Sequence, residues 1–315
     1  MDPEASLSPA PGTEPKPQWR QWLRWAGTLL TLALLIFIAA ANWNDILTVF
    51  QRISPLTIGL VLVIMVASRL TVCGRWYVLL RSAEMNITPW QCIRLVFAGL
   101  FASNFLPTTI GGDAVRLTGA VLLKFDAATI AASLVMDRLV GMFGMATLLP
   151  VGIFQVFSGA AGPAALSLAI TPAKIWQKLR QFLASLWQVF LRWAKKPLAL
   201  GQAVLWTYGH MACLFITIWL LLRDMGQDVP LWTIGGLWVL NYFITLLPVS
   251  INGLGLQEFA ITTLYTQFAG VPTETSLALA LIIRVLYLLA SLPGAAFVPG
   301  ILSAQGAAQK NHGTS

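Results

Sequence analysis

Long apolar blocks decide what this chain can fold into. Residues 25–41, 57–72, 127–149 and 198–222 each approach or exceed the roughly 20 apolar residues that cross a bilayer as a helix. Only 10% of the residues are charged and 57% are hydrophobic, whereas a soluble domain carries about a quarter charged residues, too many fewer here to cover a water-soluble surface. The sequence therefore predicts an all-α polytopic membrane protein with about six to eight transmembrane helices. The first block imitates a cleavable signal, with Arg20 and Arg24 before it and Ala39-Ala40-Ala41 at its end, but its length and the spans that follow make it a retained helix. Residues 1–24 include Pro3, Pro9, Pro11, Pro15 and Pro17 and read as a disordered cytoplasmic tail. Residues 25–302 then form one integral membrane domain, and 303–315 a polar tail.

Several chemistries lack their residues. Cys73, Cys92 and Cys213 lie in apolar surroundings without metal-ligand spacing, and His210 in a span and His312 in the tail share no setting, so neither a metal nor a cofactor is expected. His210 reads as a hydrogen-bonded core residue. Gly253-Leu254-Gly255 lacks the third glycine and the preceding strand of a dinucleotide fingerprint, and no phosphate loop or HExxH occurs, so no enzymatic activity is expected.

The net charge of +8 does not point to nucleic acid, because Lys and Arg in a membrane protein chiefly mark the cytoplasmic side. Setting aside Arg69, Arg138 and Arg284 inside apolar blocks, 15 of the remaining 17 basic residues fall in five groups: 16–24, 75–94, Arg116 with Lys124, 174–196, and Lys310. Arg52 and Arg223 stand apart, next to acids. If all five groups are cytoplasmic, both termini face that side. The spans are then 26–42, 57–74, 127–149, 151–170, 198–222 and 277–300. The apolar run 92–106 must enter the membrane and turn back.

That turn, Asn104-Phe105-Leu106-Pro107-Thr108-Thr109-Ile110-Gly111-Gly112-Asp113, combines a proline that removes a helical donor with glycines that tolerate open backbone. A second segment, Leu247-Pro248-Val249-Ser250-Ile251-Asn252-Gly253, matches its Leu, Pro, Ile and second Gly, and each is followed downstream by an arginine, Arg138 or Arg284. These features predict an internal repeat with units 57–170 and 198–302, joined by an amphipathic linker at 174–196. On the orientation count, the two broken segments enter from opposite sides, giving an inverted repeat of the kind found in alternating-access transporters. The alternative is a pair of Pro-kinked helices in an eight-span bundle.

A charge at the centre of a membrane helix costs about 2.5 to 3.5 kcal/mol on the milder scales, so each needs a partner or a function. Asp113, Arg116, Asp137, Arg138, Glu258 and Arg284 qualify, with Asn104, Pro107, Gly112, Pro248, Gly253 and Gly255 shaping the broken segments. Arginine grips phosphate through two parallel donors, and carboxylates nearby can carry a coupling cation or neutralise the arginines. Pairing that merely fixes packing is the alternative for any one of them. Arg69 is the weakest candidate, because a long side chain can reach the interface.

The run from Asn104 through Gly112, Asp113 and Arg116, then Asp137-Arg138, then Pro248 through Gly253, Gly255 and Glu258, resembles the lysylphosphatidylglycerol synthase transmembrane-region family. The resemblance implies a flippase-like protein of a cell inner (cytoplasmic) membrane, with Arg116, Asp137, Arg138 and Glu258 at positions marked by the family pattern. The sequence up to Ser315 contains no soluble aminoacyl-transferase domain, so synthesis of aminoacylated lipid is not expected of it. The expected partner is a membrane lipid with an anionic head group. A non-transporting scaffold docking an envelope-lipid enzyme through 174–196, and a small-anion carrier, are the alternatives.

Overall fold

A computed structural model describes residues 43–105, 111–158, 196–247, 250 and 253–300, with isolated positions between 29 and 41. The linker 174–195, both tails, most of the first apolar block, and Pro107 and Pro248 lie outside the described residues. Every described element is a helix. In order they are α1 (Trp43–Arg52), α2 (Pro55–Ser82), α3 (Pro89–Phe105), α4 (Gly111–Leu122), α5 (Ala127–Thr147), α6 (Leu149–Ser158), α7 (Pro197–Asp224), α8 (Leu231–Thr245), α9 (Leu256–Phe268) and α10 (Thr273–Ser291), which runs into a 3-10 turn at Leu292–Ala296.

Helix length separates these elements into two kinds. α2 and α7 have 28 residues each, α5 has 21, and α10 with its 3-10 extension has 24, and all four are apolar enough to cross a membrane. At 1.5 Å per residue they reach about 31 to 42 Å, against a hydrocarbon core of about 30 Å. The chain is a multi-pass membrane protein. α3, α4, α8 and α9, with 17, 12, 15 and 13 residues, extend only about 18 to 26 Å each. Each is packed against its sequence neighbour, α3 on α4 and α8 on α9. Large apolar side chains such as Leu56, Val63, Leu70, Leu198 and Leu205 stand exposed along α2 and α7, as lipid contact requires.

The order long, short, short, long occurs twice, in α2 to α5 and again in α7 to α10. Corresponding turns agree in backbone. α2 ends with Glu84 at φ 64° and α7 with Gly226 at φ 79°, while α4 ends with Lys124 at φ 66° and α9 with Gly270 at φ 66°. The same bonds close the first pair of turns, Met85 N–H donating to Leu80 O and Gln227 N–H to Leu222 O. Such left-handed residues terminate helices by satisfying the last carbonyls. The contacts that follow each unit also correspond. α6, which follows α5, packs on α8, and the 3-10 turn, which follows α10, packs on α3.

α2 and α7 run antiparallel along their whole length. The Ser54 N–H donates to Asp224 Oδ2 at 3.0 Å, the Ser68 hydroxyl meets His210 Nδ1 at 2.7 Å, and Lys196 Nζ donates to Ser82 O. The Ser68 and His210 pair lies at the midpoint of both helices, so His210 is the hydrogen-bonded core residue the sequence predicts. Ala83, Met85, Ile87 and Phe125 cluster near one end of the bundle, whereas Ile53, Met225, Val229 and Val271 join the large cluster that reaches the other.

Candidate functional site

Two long helices, α2 and α5, and one short one, α4, bring their charges together around Asp137. Asp137, at the middle of α5, is 2% exposed. Its Oδ1 accepts from Arg75 Nε on α2 at 2.7 Å, and its Oδ2 accepts from both terminal nitrogens of Arg116 on α4, at 3.2 and 3.3 Å. Arg116 also donates to Asp113 at 3.4 Å, and Asp113 Oδ2 accepts from Arg138 Nε at 2.5 Å. The result is an alternating chain, Arg75, Asp137, Arg116, Asp113, Arg138, whose first three members are buried, whose Asp113 is partly buried and whose last arginine is 45% exposed. Arg116 lies over the Trp76 ring, 4.0 Å from its centroid, and Trp76 Nε1 donates to Ser133. Arg75 further donates to Thr207 on α7 at 3.4 Å, tying the network across the two units.

The second unit holds a smaller version. Arg284 Nε donates to Glu258 Oε1, and Arg284 Nη2 donates to Gly253 O at 3.3 Å. The other Glu258 oxygen accepts from the Gly255 N–H at 2.9 Å, so Glu258 caps its own helix while holding the arginine. Gly253 and Gly255 take φ 69° and 76°, the backbone region that favours glycine. The carboxylate after the break and the arginine in the next long helix thus pair in both units, Asp113 with Arg138 and Glu258 with Arg284.

Of the sequence-predicted residues, Asp113, Arg116, Asp137 and Arg138 come together in the first network, and Gly253, Gly255, Glu258 and Arg284 in the second. Gly112 sits where α4 crosses α3, and Asn104 Nδ2 donates to Ser291 Oγ on α10 at 2.7 Å, beside Arg284. Three arginines are placed differently from expectation. Arg116, counted with Lys124 as a cytoplasmic basic group, is 8% exposed and ion-paired to Asp137. Arg75, assigned to a cytoplasmic basic group, is 9% exposed and ion-paired to Asp137. The reason is that α2 continues through Trp76 to Leu80 and ends at Ser82, not at 74. Arg69, expected to reach the interface, sits at the midpoint of α2, about 20 Å from either end. Its guanidinium lies 4.4 Å from the Tyr287 ring centroid instead. An unbroken apolar stretch on both sides of an arginine is the signal that could have found Arg75 and Arg69.

Counted together, Arg69, Arg75, Arg116, Arg138 and Arg284 face Asp113, Asp137 and Glu258, an excess of two positive charges. Among the described residues, no group of three or more His, Cys, Asp or Glu could hold a metal ion.

A family model described as the lysylphosphatidylglycerol synthase TM region matches residues 24–294. No curated protein matches the chain.

Proposed function

This chain belongs to the lysylphosphatidylglycerol synthase TM-region family, and from that premise we propose that it is an alternating-access translocator for a lipid with an anionic, phosphate-containing head group. The observation that carries the reading is the excess of two guanidiniums over carboxylates at membrane depth. Uncompensated charge there is costly, and a bound anion is the economical way to balance it. Arg138 and Arg284 occupy corresponding places beside the two helix breaks, and the acids paired with them set how readily each is released to a head group. The chain acts by moving lipid without covalent chemistry.

The antiparallel course of α2 and α7 supports an inverted repeat, since corresponding helices of inverted units must cross in opposite senses. On this reading α3–α4 and α8–α9 are re-entrant hairpins, one from each side, because none of the four helices is long enough to span. Lys and Arg bias supports a cytoplasmic side for the end holding Ser82 and Phe125, in an inner membrane. Single cysteines at Ser82, Phe125, Gln227 and Thr273 in a cysteine-free background are therefore expected to split two and two. An impermeant maleimide should leave the first pair protected in intact cells and label the second. Ser82 and Phe125 on opposite sides would make α3–α4 a full crossing and remove the inverted-repeat mechanism.

Reconstitution tests the function itself. Fluorescent anionic lipid should redistribute between leaflets faster in proteoliposomes than in empty vesicles, and Arg284→Gln should slow that movement by roughly tenfold, as loss of one charge-assisted contact implies. Rates equal to protein-free vesicles, with and without a proton gradient, would end the translocator reading. Full cellular function retained by an Arg138→Gln, Glu258→Gln variant at unchanged expression would indicate a scaffold instead.

A further inference from the structure

Between α2, α3, α9 and α10 lies a cavity of about 170 Å³ that the ion-pair chain of the first unit does not enter. Arg69, Asn104, Gln257, Arg284, Tyr287 and Ser291 line it. Two of its polar groups are unsatisfied. Arg69 Nε and Gln257 Nε2 are both buried without a hydrogen-bond partner. Arg69 also makes no ion pair among the described residues, and its terminal nitrogens reach only neutral groups, the Met65 sulfur at 3.9 Å and the Tyr287 side chain. A buried donor left unpaired costs about 1 to 3 kcal/mol, and more when charged. Both are therefore built for something that enters.

We infer that this cavity binds one monoanionic phosphodiester head group, gripped between Arg69 and Arg284 with the Gln257 amide as a further donor. The donors come from three different helices, α2, α9 and α10, which suits an acceptor presenting oxygens in several directions better than a flat carboxylate. Charge fixes the valence. Arg284 is already neutralised by Glu258, so the cavity carries the single excess charge of Arg69, which one phosphodiester balances and a dianionic monoester would overshoot. The same bookkeeping disfavours an amine-bearing head group. Among the described residues Glu258 is the carboxylate in contact with a lining residue, and its charge is already paired with Arg284 while its other oxygen accepts from the Gly255 N–H. The cavity is partly open, and its volume of about 170 Å³ has room for a phosphate with a small hydroxylated group. The second unit has no counterpart, because Met211 stands on α7 where Arg69 stands on α2.

The inference rests on the translocator reading, but binding can be measured with no movement of lipid, so the two can fail separately. Purified full chain in micelles of equal phosphatidylglycerol and phosphatidylcholine should retain one phosphatidylglycerol by native mass spectrometry, preferred by roughly tenfold or more. Arg69→Gln should abolish the preference, whereas Arg81→Gln, an exposed arginine outside the cavity, should keep it. A structural role for Arg69 would make the variant melt lower. The inference instead expects Arg69→Gln to melt no lower than wild type when anionic lipid is absent, because a stranded charge has been removed, and to lose the rise in melting temperature that phosphatidylglycerol gives wild type. Glycerophosphoglycerol and inorganic phosphate, as soluble probes, separate the sources. Competition by the soluble diester supports recognition of the head group itself, and a rise in melting temperature with inorganic phosphate alone overturns the phosphodiester assignment. Equal retention of both lipids, or an undiminished preference in Arg69→Gln, overturns the site. Retention without scrambling leaves the site standing and removes the translocator.

Discussion

Asp137→Asn should lower stability by roughly 3 to 5 kcal/mol, the penalty for removing one member of a buried ion-pair network. The substitution keeps the shape of the side chain and removes only charge. Two buried guanidiniums, Arg75 and Arg116, then lose the carboxylate that both of them hold. Asp113→Asn is the internal comparison. Asp113 has an 18% exposed side chain, and its main partner Arg138 is 45% exposed, so screening should reduce its effect to about 1 kcal/mol. Equilibrium unfolding in mixed detergent micelles provides the measurement. Adding Arg116→Met to Asp137→Asn should recover part of the loss, because it removes one of the stranded charges, and a double-mutant cycle should report strong coupling. If both aspartates prove equally tolerant of substitution, the network is not the internal brace described above.

The fold class and the four long spans were legible because lipid imposes a crude rule, apolar residues in runs of about twenty. The break positions were legible for a similar reason, since Pro107 and Pro248 with their glycines interrupt that rule at matching intervals. The pairing of Asp113 with Arg138, and of Glu258 with Arg284, could be suspected only as a gathering of charges, because partners more than twenty residues apart have no local signature. Arg75 and Arg69 were misjudged for a clear physical reason. Counting basic residues for sidedness treats an arginine near the end of an apolar run as interfacial, yet the true end of α2 depends on Trp76 and Leu80 being packed against α3 and α5. The antiparallel lie of α2 on α7 was implied by the orientation count alone. Their contact along the whole length, with Ser68 meeting His210 at the centre, is a tertiary fact that no window of sequence carries.

Gly112→Val should disrupt the protein as severely as loss of Asp137, and its position shows why packing and charge cannot be separated here. A Cβ at Gly112 would fall 2.0 Å from Ser103 Oγ and 2.5 Å from Gly99 O, the second of which is backbone on α3 and cannot rotate away. A Cβ at Gly99 would in turn meet Arg116 Cγ at 2.7 Å. The close crossing of α3 and α4 is therefore the floor on which the Arg116 side chain is laid toward Asp137. Small residues permit such backbone approach between membrane helices, where van der Waals contact supplies much of the association. Forcing α4 away should cost upward of about 3 kcal/mol from overpacking, with a further loss from the lengthened Arg116 to Asp137 contact. Gly59→Val is the matched control, because a Cβ there meets nothing within 4 Å. The melting temperature of Gly112→Val should drop by ten degrees or more while Gly59→Val stays within about two, a difference on the scale expected for several kcal/mol in a domain of this size. Combining Gly112→Val with Asp137→Asn should cost less than the sum of the two, since the displaced arginine has already surrendered its partner. Strict additivity would show that the crossing of α3 and α4 does not set the position of Arg116.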